Sequence, residues 1–263
     1  MNRIDMKFKK LREKNEKAMI SFITAGDPDF ETTAKLVYAM EEGGADIIEL
    51  GVPYSDPIAD GATIQKSSAR SLKNGTTIKG IMDAVKNIRK NTEVPLVFLV
   101  YYNSVFKYGI ERFIAQCNKM GIDGIIIPDL PIEERKDILD IADKYEIALI
   151  PLIAPTSKER IEKIVKNASG FIYCVSINGV TGTEKEINTD IKAYMDTISK
   201  FTDIPKAIGF GISSAKMAKE LKQYCDGIII GSAIVKKVDE IANQEEMLRN
   251  VKSFVKEVKQ AIN

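Results

Sequence analysis

The chain has no histidine anywhere in its 263 residues. That excludes His-based nucleophile triads, imidazole metal ligands and the one side chain that titrates near neutrality unperturbed. Acid–base chemistry therefore falls to Asp, Glu, Lys, Tyr or Cys. Cysteine is scarce: Cys117, Cys174 and Cys225 lie far apart and form no C-x-x-C pair. Such a low, odd count argues against zinc and for buried free thiols in a reducing cytoplasm. No metal site is expected. No apolar run approaches the ~20 residues that span a bilayer. Residues 1–17 are basic and mixed, without the apolar core of a signal peptide. Neither sign of charge dominates, with 38 Lys and Arg against 37 Asp and Glu. Nothing suggests a nucleic-acid or membrane partner.

What is present is alternation. Near-continuous Ile/Val/Leu runs occur at Ala18–Thr24, Ile47–Gly51, Pro95–Tyr101, Gly124–Pro128, Ala148–Ile153, Phe171–Val175, Lys206–Gly209 and Gly227–Ile230. Runs of this kind are expected of parallel strands buried on both faces. Amphipathic helical segments fall between them: Phe30–Glu42, Thr77–Lys90, Ile110–Met120, Glu133–Tyr145, Lys158–Lys166, Asp190–Lys200, Ala215–Gln223 and Glu245–Ala261. Eight strand–helix repeats predict an α/β fold, a (β/α)8 TIM barrel in a single domain spanning 1–263. An open doubly wound sheet is the competitor, but it usually carries a phosphate fingerprint after its first strand. Here that place reads Thr24-Ala25-Gly26-Asp27-Pro28. A further amphipathic segment, Ile4–Glu16, is expected to cap the barrel floor. Two long βα loops, Val52–Ala62 and Ser176–Asn188, should lie at the C-terminal face, where such loops are more often functional than idle.

The densest chemistry lies in Ile47-Ile48-Glu49-Leu50-Gly51 and the loop that follows. Glu49 shares a strand face with Ile47 and Gly51, so it should point into the barrel mouth. An apolar strand does not hold a lone carboxylate unless that charge has a partner or a task. The structural alternative is a pair with a barrel lysine or arginine. Asp60 and Asp56 lie on the loop, where Asp is also a common turn residue. Two carboxylates in different surroundings can have proton affinities pushed apart, leaving one acid and one base. Tyr173 can donate a hydrogen bond into the mouth, or simply fill the barrel. Gly179-Val180-Thr181-Gly182, Gly209-Phe210-Gly211-Ile212-Ser213 and Gly231-Ser232 end the last three strands. Barrels often bind phosphate there through backbone N–H groups and a helix N-terminus.

These segments, with Phe22-Ile23-Thr24-Ala25-Gly26-Asp27-Pro28, Glu49-Leu50-Gly51-Val52-Pro53-Tyr54-Ser55-Asp56-Pro57, Ala59-Asp60-Gly61 and Gly231-Ser232-Ala233-Ile234-Val235, closely resemble the tryptophan synthase alpha chains. The resemblance runs in order along the whole chain. It implies a lyase that cleaves indole-3-glycerol phosphate to indole and glyceraldehyde 3-phosphate by a retro-aldol route. In that reading Glu49 is the acid at indole C3, Asp60 stabilises the indole N–H and Tyr173 supports the glycerol moiety. Phe22, Leu99, Tyr101, Ile153 and Phe210 line the indole pocket, and Thr181 belongs to a closing loop. Gly182, Gly211, Gly231 and Ser232 hold the phosphate. The resemblance implies no cofactor in this chain and a beta chain carrying pyridoxal phosphate as partner in an α2β2 complex, with Asp56 and Pro57 at the interface. One departure is Ile177, where the family carries arginine; weaker coupling to the partner is the expected consequence. Two readings compete. One is a catalytically weak barrel that mainly activates the partner. The other is a lysine-dependent indole-glycerol-phosphate synthase, for which the strand interiors offer only Lys206, at a strand edge.

Overall fold

A computed structural model describes residues 2–175, 190–209, 211–241 and 243–263. Among these, nine parallel strands form one sheet: β1 Ala18–Thr24, β2 Ile47–Gly51, β3 Leu96–Leu99, β4 Gly124–Ile126, β5 Ala148–Ile150, β6 Leu152–Ile153, β7 Ile172–Val175, β8 Lys206–Gly209 and β9 Gly227–Ile230. The hydrogen-bonded order is β5-β4-β3-β2-β1-β9-β8-β7-β6. The two ends of that list are consecutive in the chain. Pro151 separates them, and proline breaks a strand because it has no N–H to donate. One expected strand, Ala148–Ile153, thus pairs with β4 through its first half and with β7 through its second. The barrel closes through it, as the eightfold alternation predicted.

Strand alternation sorts the side chains into two layers. Ala18, Ile20, Ile47, Val97, Ile126, Ala148, Ile150, Phe171, Tyr173, Ala207 and Ile229 fill the barrel interior. Their neighbours Met19, Ile23, Ile48, Leu50, Phe98 and Ile125 face outward against the helices. The helix Arg3–Glu13 closes the floor with Ile4, Phe8 and Leu11 buried against the interior set. Phe8 meets Phe171 with ring centroids 5.8 Å apart. Asn2 caps this helix reciprocally with Asp5. Arg3 then ties it to Asp123 and Glu93, and Lys7 reaches Asp46.

Three helices escape the sequence pattern: Ala62–Lys73, Tyr102–Tyr108 and Ser232–Glu240. In the first, the buried positions are Ile64, Ser67, Ser68 and Ser71. Serine on the inner face leaves no aliphatic stripe to read. These serines carry hydrogen bonds instead: Ser67 Oγ donates to Asp27 at 2.5 Å and Ser71 Oγ to the Ala25 carbonyl at 2.7 Å. The segment Lys158–Lys166 is split into a 3-10 turn, Pro155–Arg160, and a short helix, Ile161–Val165.

The floor plug predicts a stability effect without a change in fold. Replacing Phe8 with alanine should lower unfolding stability by about 3–5 kcal/mol. A urea melt is expected to show a lower midpoint with an unchanged slope. An unshifted midpoint would mean that the helix does not plug the barrel.

Candidate active site

Glu49 lies inside the barrel in register with Phe22 on β1 and Val97 on β3. It is 1 % exposed, and its Oε2 has no hydrogen-bond partner among the described residues. The other buried acids contrast with it. Asp123 is met by Arg3 and Arg89, Asp46 by Lys7 and Lys259, and Asp27 by Arg70. No cation pairs with Glu49 among the described residues, so the structural alternative of an internal salt bridge fails. Burial, reinforced by the negative charge of Asp60, pushes its carboxyl up to about 8. It therefore holds its proton at neutral pH.

Asp60 approaches from the loop between β2 and the helix Ala62–Lys73. Burial pushes it up to about 6, and a hydrogen bond with Tyr101 opposes that rise. Near pH 7 the pair thus presents one protonated carboxyl and one largely ionised carboxylate. Gln65 Nε2 donates to the Asp60 carbonyl at 2.8 Å and fixes the backbone there. The neighbouring charges of Glu49 and Asp60 add to the effect of burial on Tyr173, whose phenol is held well above its usual range. It remains a hydrogen-bond donor at any physiological pH.

Missing side chains make the room for these groups. A Cβ on Gly51 would stand 2.5 Å from the Phe22 ring, and one on Gly209 would stand 2.8 Å from the Tyr173 ring. Phe22, Leu99, Ile64 and Val235 form a small apolar cluster at the mouth. Gly231 lies on the other side of Phe22, where an added Cβ would be 3.3 Å from the ring. Gly231 caps the helix Ser232–Glu240, so Ser232 begins a helix whose N-terminus is suited to an anion. Gly211 turns with φ +79°, a conformation that favours glycine. Asp56 is exposed and accepts the Ser55 hydroxyl at 2.5 Å, with Pro57 half-buried beside it.

One pocket residue needs correction. Ile153 pairs with Cys174 and faces outward into the layer between strands and helices. Its neighbour Leu152, paired with inward-facing Tyr173, turns to the interior. With period-2 alternation, a one-residue slip exchanges the faces, and the break at Pro151 hides the phase. Thr181, Gly182 and Phe210, like Ile177, lie outside the described residues. Sequence reasoning also missed Tyr54 and Asn103. Tyr54 stacks on Tyr101 at 4.9 Å and accepts a hydrogen bond from Asn103 at 3.0 Å. No local pattern signals a stack between two loops. No cluster of three or more metal-capable side chains occurs among the described residues, and no helix there is long and apolar enough to cross a membrane.

The unpaired Glu49 makes stability depend on pH. Its proton affinity is higher folded than unfolded, so its contribution is whole below about pH 4.5, its ordinary value, and is lost as pH rises toward about 8. Glu49→Gln, which never ionises, should flatten that decline, with a difference on the order of a few kcal/mol by about pH 8. Parallel wild-type and variant stability curves from denaturant melts across that range would contradict the burial argument.

Comparison with known proteins finds relatives that match along the chain. The family profile described as tryptophan synthase alpha chain matches residues 8–263. The tryptophan synthase alpha chain of Thermoanaerobacter pseudethanolicus is 61% identical over 262 residues, covering 100% of both chains. That of Caldanaerobacter subterraneus subsp. tengcongensis is 58% identical over the same length. The crystal structure of the tryptophan synthase alpha chain from Legionella pneumophila superposes with a TM-score of 0.90 at 32% identity, covering 100% of this chain and 97% of that one. A chain of the tryptophan synthase a2b2 complex from Pyrococcus furiosus superposes with a TM-score of 0.84 at 36% identity, covering 92% and 98%.

Proposed function

The chain belongs to the tryptophan synthase alpha chain family, and on that footing we propose that it cleaves indole-3-glycerol phosphate to indole and glyceraldehyde 3-phosphate. The observation that carries the residue assignment is the pair Glu49 and Asp60, one buried in the barrel with no cation beside it among the described residues and the other brought near it by the loop that follows its strand. Breaking the bond between indole C3 and the glycerol carbon requires a tetrahedral C3. Glu49, holding its proton, delivers it to C3. Positive charge then develops on the indole nitrogen, and the Asp60 carboxylate stabilises it through the N–H. The glycerol hydroxyl gives its proton to the Glu49 carboxylate as the C–C bond breaks. Its oxygen becomes the aldehyde, and the bonding pair returns to the ring to restore aromatic indole. Glu49 ends as it began, protonated.

The remaining residues divide by distance from the breaking bond. Phe22 and Leu99 supply apolar wall for the indole. Tyr173, a donor at any working pH, faces the glycerol hydroxyls. Gly211, Gly231 and Ser232 receive the phosphate with backbone N–H groups, joined by Gly182 of the loop that follows β7. The family resemblance adds Thr181 of that segment to the groups that contact the substrate. Anchoring the phosphate at one end orients C3 against the acid, which turns binding into alignment.

The partner is a beta chain in an α2β2 assembly. The alpha chain carries no cofactor of its own, and pyridoxal phosphate belongs to the beta chain that consumes the indole. Exposed Asp56 and neighbouring Pro57 sit on the rim of the same loop that carries Asp60, so docking there would reach the catalytic loop directly. Buried free cysteines fit a reducing cytoplasmic setting.

Two experiments test this reading. The rate of indole formation, as kcat/KM, should follow a bell with a rising limb near pH 6, where Asp60 ionises, and a falling limb near pH 8, where Glu49 loses its proton. The two limbs belong to the interacting pair rather than to either group alone. Glu49→Gln should lower kcat by at least about 100-fold. Full activity in that variant would remove Glu49 from the mechanism. Separately, Asp56→Ala should weaken beta-chain binding in titration calorimetry, while the rate of the isolated alpha chain stays within about twofold. Unchanged binding would take Asp56 out of the interface.

A further inference from the structure

Two helices frame the mouth, and one arginine ties them together. The helix Ala62–Lys73 begins immediately after Asp60 and Gly61, and the helix Ser232–Glu240 begins immediately after Gly231. Each mouth segment rides on its own helix. Gln65 donates its backbone N–H to the Gly61 carbonyl at 3.0 Å and its Nε2 to the Asp60 carbonyl at 2.8 Å. The Ile234 and Val235 N–H groups donate to the Gly231 carbonyl at 2.8 and 3.0 Å. A shift of either helix therefore carries its own side of the mouth with it.

Near the mouth the two helices meet through apolar side chains: Ile64 from one and Val235 from the other pack with Phe22. Apolar contact is non-directional, so it holds the helices together without fixing how one tilts against the other. The directional tie lies deeper. Arg70 Nε and Nη2 donate to the two carboxylate oxygens of Asp27 at 3.0 and 2.7 Å, and Nη1 reaches Asp239 Oδ1 at 2.7 Å. Asp27 is 2 % exposed and also accepts the Ser67 hydroxyl at 2.5 Å. The planar guanidinium is thus held on a buried carboxylate and offers its remaining edge to the second helix. Ser71 and Asn74 already bond the helix Ala62–Lys73 to the loop after β1, through the Ala25 and Pro28 carbonyls at 2.7 and 2.8 Å. What Arg70 adds to them is Asp239. This tie lies about 12 Å along the first helix from its start and about 10 Å along the second. A tilt of about 6° about that point moves a helix start by about 1 Å, enough to misalign reacting groups.

We propose that Arg70 is a positioning residue that sets the spacing between the two ends of the substrate, the indole end beside Asp60 and the phosphate end at Ser232. The inference rests on the substrate reading given above. A molecule that reaches both ends gains from a fixed span, because binding one end presents the other at high effective concentration. A molecule that reaches only one end gains nothing from it.

The test compares spanning and single-ended ligands in two variants. Asp239→Ala removes an exposed carboxylate and leaves Arg70 on Asp27. Arg70→Lys keeps a cation beside Asp27 but has a point charge in place of the fork. Three ligands compete against indole formation: glycerol 3-phosphate, indole, and an uncleavable indole joined to phosphate by a propyl chain. Asp239→Ala should weaken the propyl-linked ligand about fivefold and Arg70→Lys about tenfold, with kcat/KM for indole-3-glycerol phosphate falling alike. Glycerol 3-phosphate and indole should each stay within about twofold. Asp239→Glu, which keeps a carboxylate for the fork, should bind the linked ligand within about twofold of wild type. Equal affinity of Asp239→Ala and wild type for the linked ligand would overturn the proposal. So would an equal loss for glycerol 3-phosphate, since Asp239 would then serve the phosphate end alone. A wild-type protein that neither binds the linked ligand nor cleaves indole-3-glycerol phosphate would overturn the substrate reading instead, and this inference with it.

Discussion

One carboxylate held without a counter-ion governs the architecture of the mouth. Glu49 sits inside a barrel otherwise filled by aliphatic and aromatic side chains, and no cation offsets its burial among the described residues. A charge in that position is so costly that the group keeps its proton instead. The same fold shows what the relaxed solution looks like. Asp123 at the floor accepts Arg89 at 2.7 Å, Arg3 at 3.0 Å and the Leu96 N–H at 2.8 Å. Burial still raises its proton affinity, but its two cations act against that. The floor carboxylates are tied down, whereas Glu49 Oε2 has no hydrogen-bond partner among the described residues.

That division runs along the barrel axis. The N-terminal end is built for stability. The helix Arg3–Glu13 plugs the interior, and the Asp46 cluster with Lys7 and Lys259 knits the floor to both ends of the chain. The C-terminal end gives up packing for access. Gly51 and Gly209 leave space that Phe22 and Tyr173 occupy, and loops rather than strands deliver Asp60. Arg70 ties this end together laterally: it holds buried Asp27, in the loop after β1, and Asp239 at the far end of the helix that begins with Ser232. The helix that begins with Ser232 and the first loop are therefore parts of one bonded frame.

Much of this was legible residue by residue. Glu49 announced itself because a lone acid in Ile-Ile-Glu-Leu-Gly violates the rule that buried strands are apolar. The floor helix was legible from its amphipathic spacing and its place before the first strand. The helix Ala62–Lys73 was not, because serines that bond Asp27 and the Ala25 carbonyl replace the aliphatic stripe. The face of Ile153 was not, because Pro151 interrupts the strand and the alternation on its far side has to be found from its pairing with β7.

The sequence by itself determined the class of fold, the order of its elements and the chemical types available for catalysis. Eight apolar runs alternating with amphipathic segments allow few closures, and a chain without histidine must move protons with Asp, Glu, Lys, Tyr or Cys. Only the tertiary structure decided which acids stay unpaired and which do not. Asp27, Asp46, Asp123 and Glu49 are equally plain acids in the sequence, yet three meet cations brought from up to 213 residues away and, among the described residues, one does not. The proton affinities of Glu49 and Asp60 follow from that distribution of partners and from the depth of burial. Those quantities depend on distances between residues remote in the chain, which no local pattern encodes.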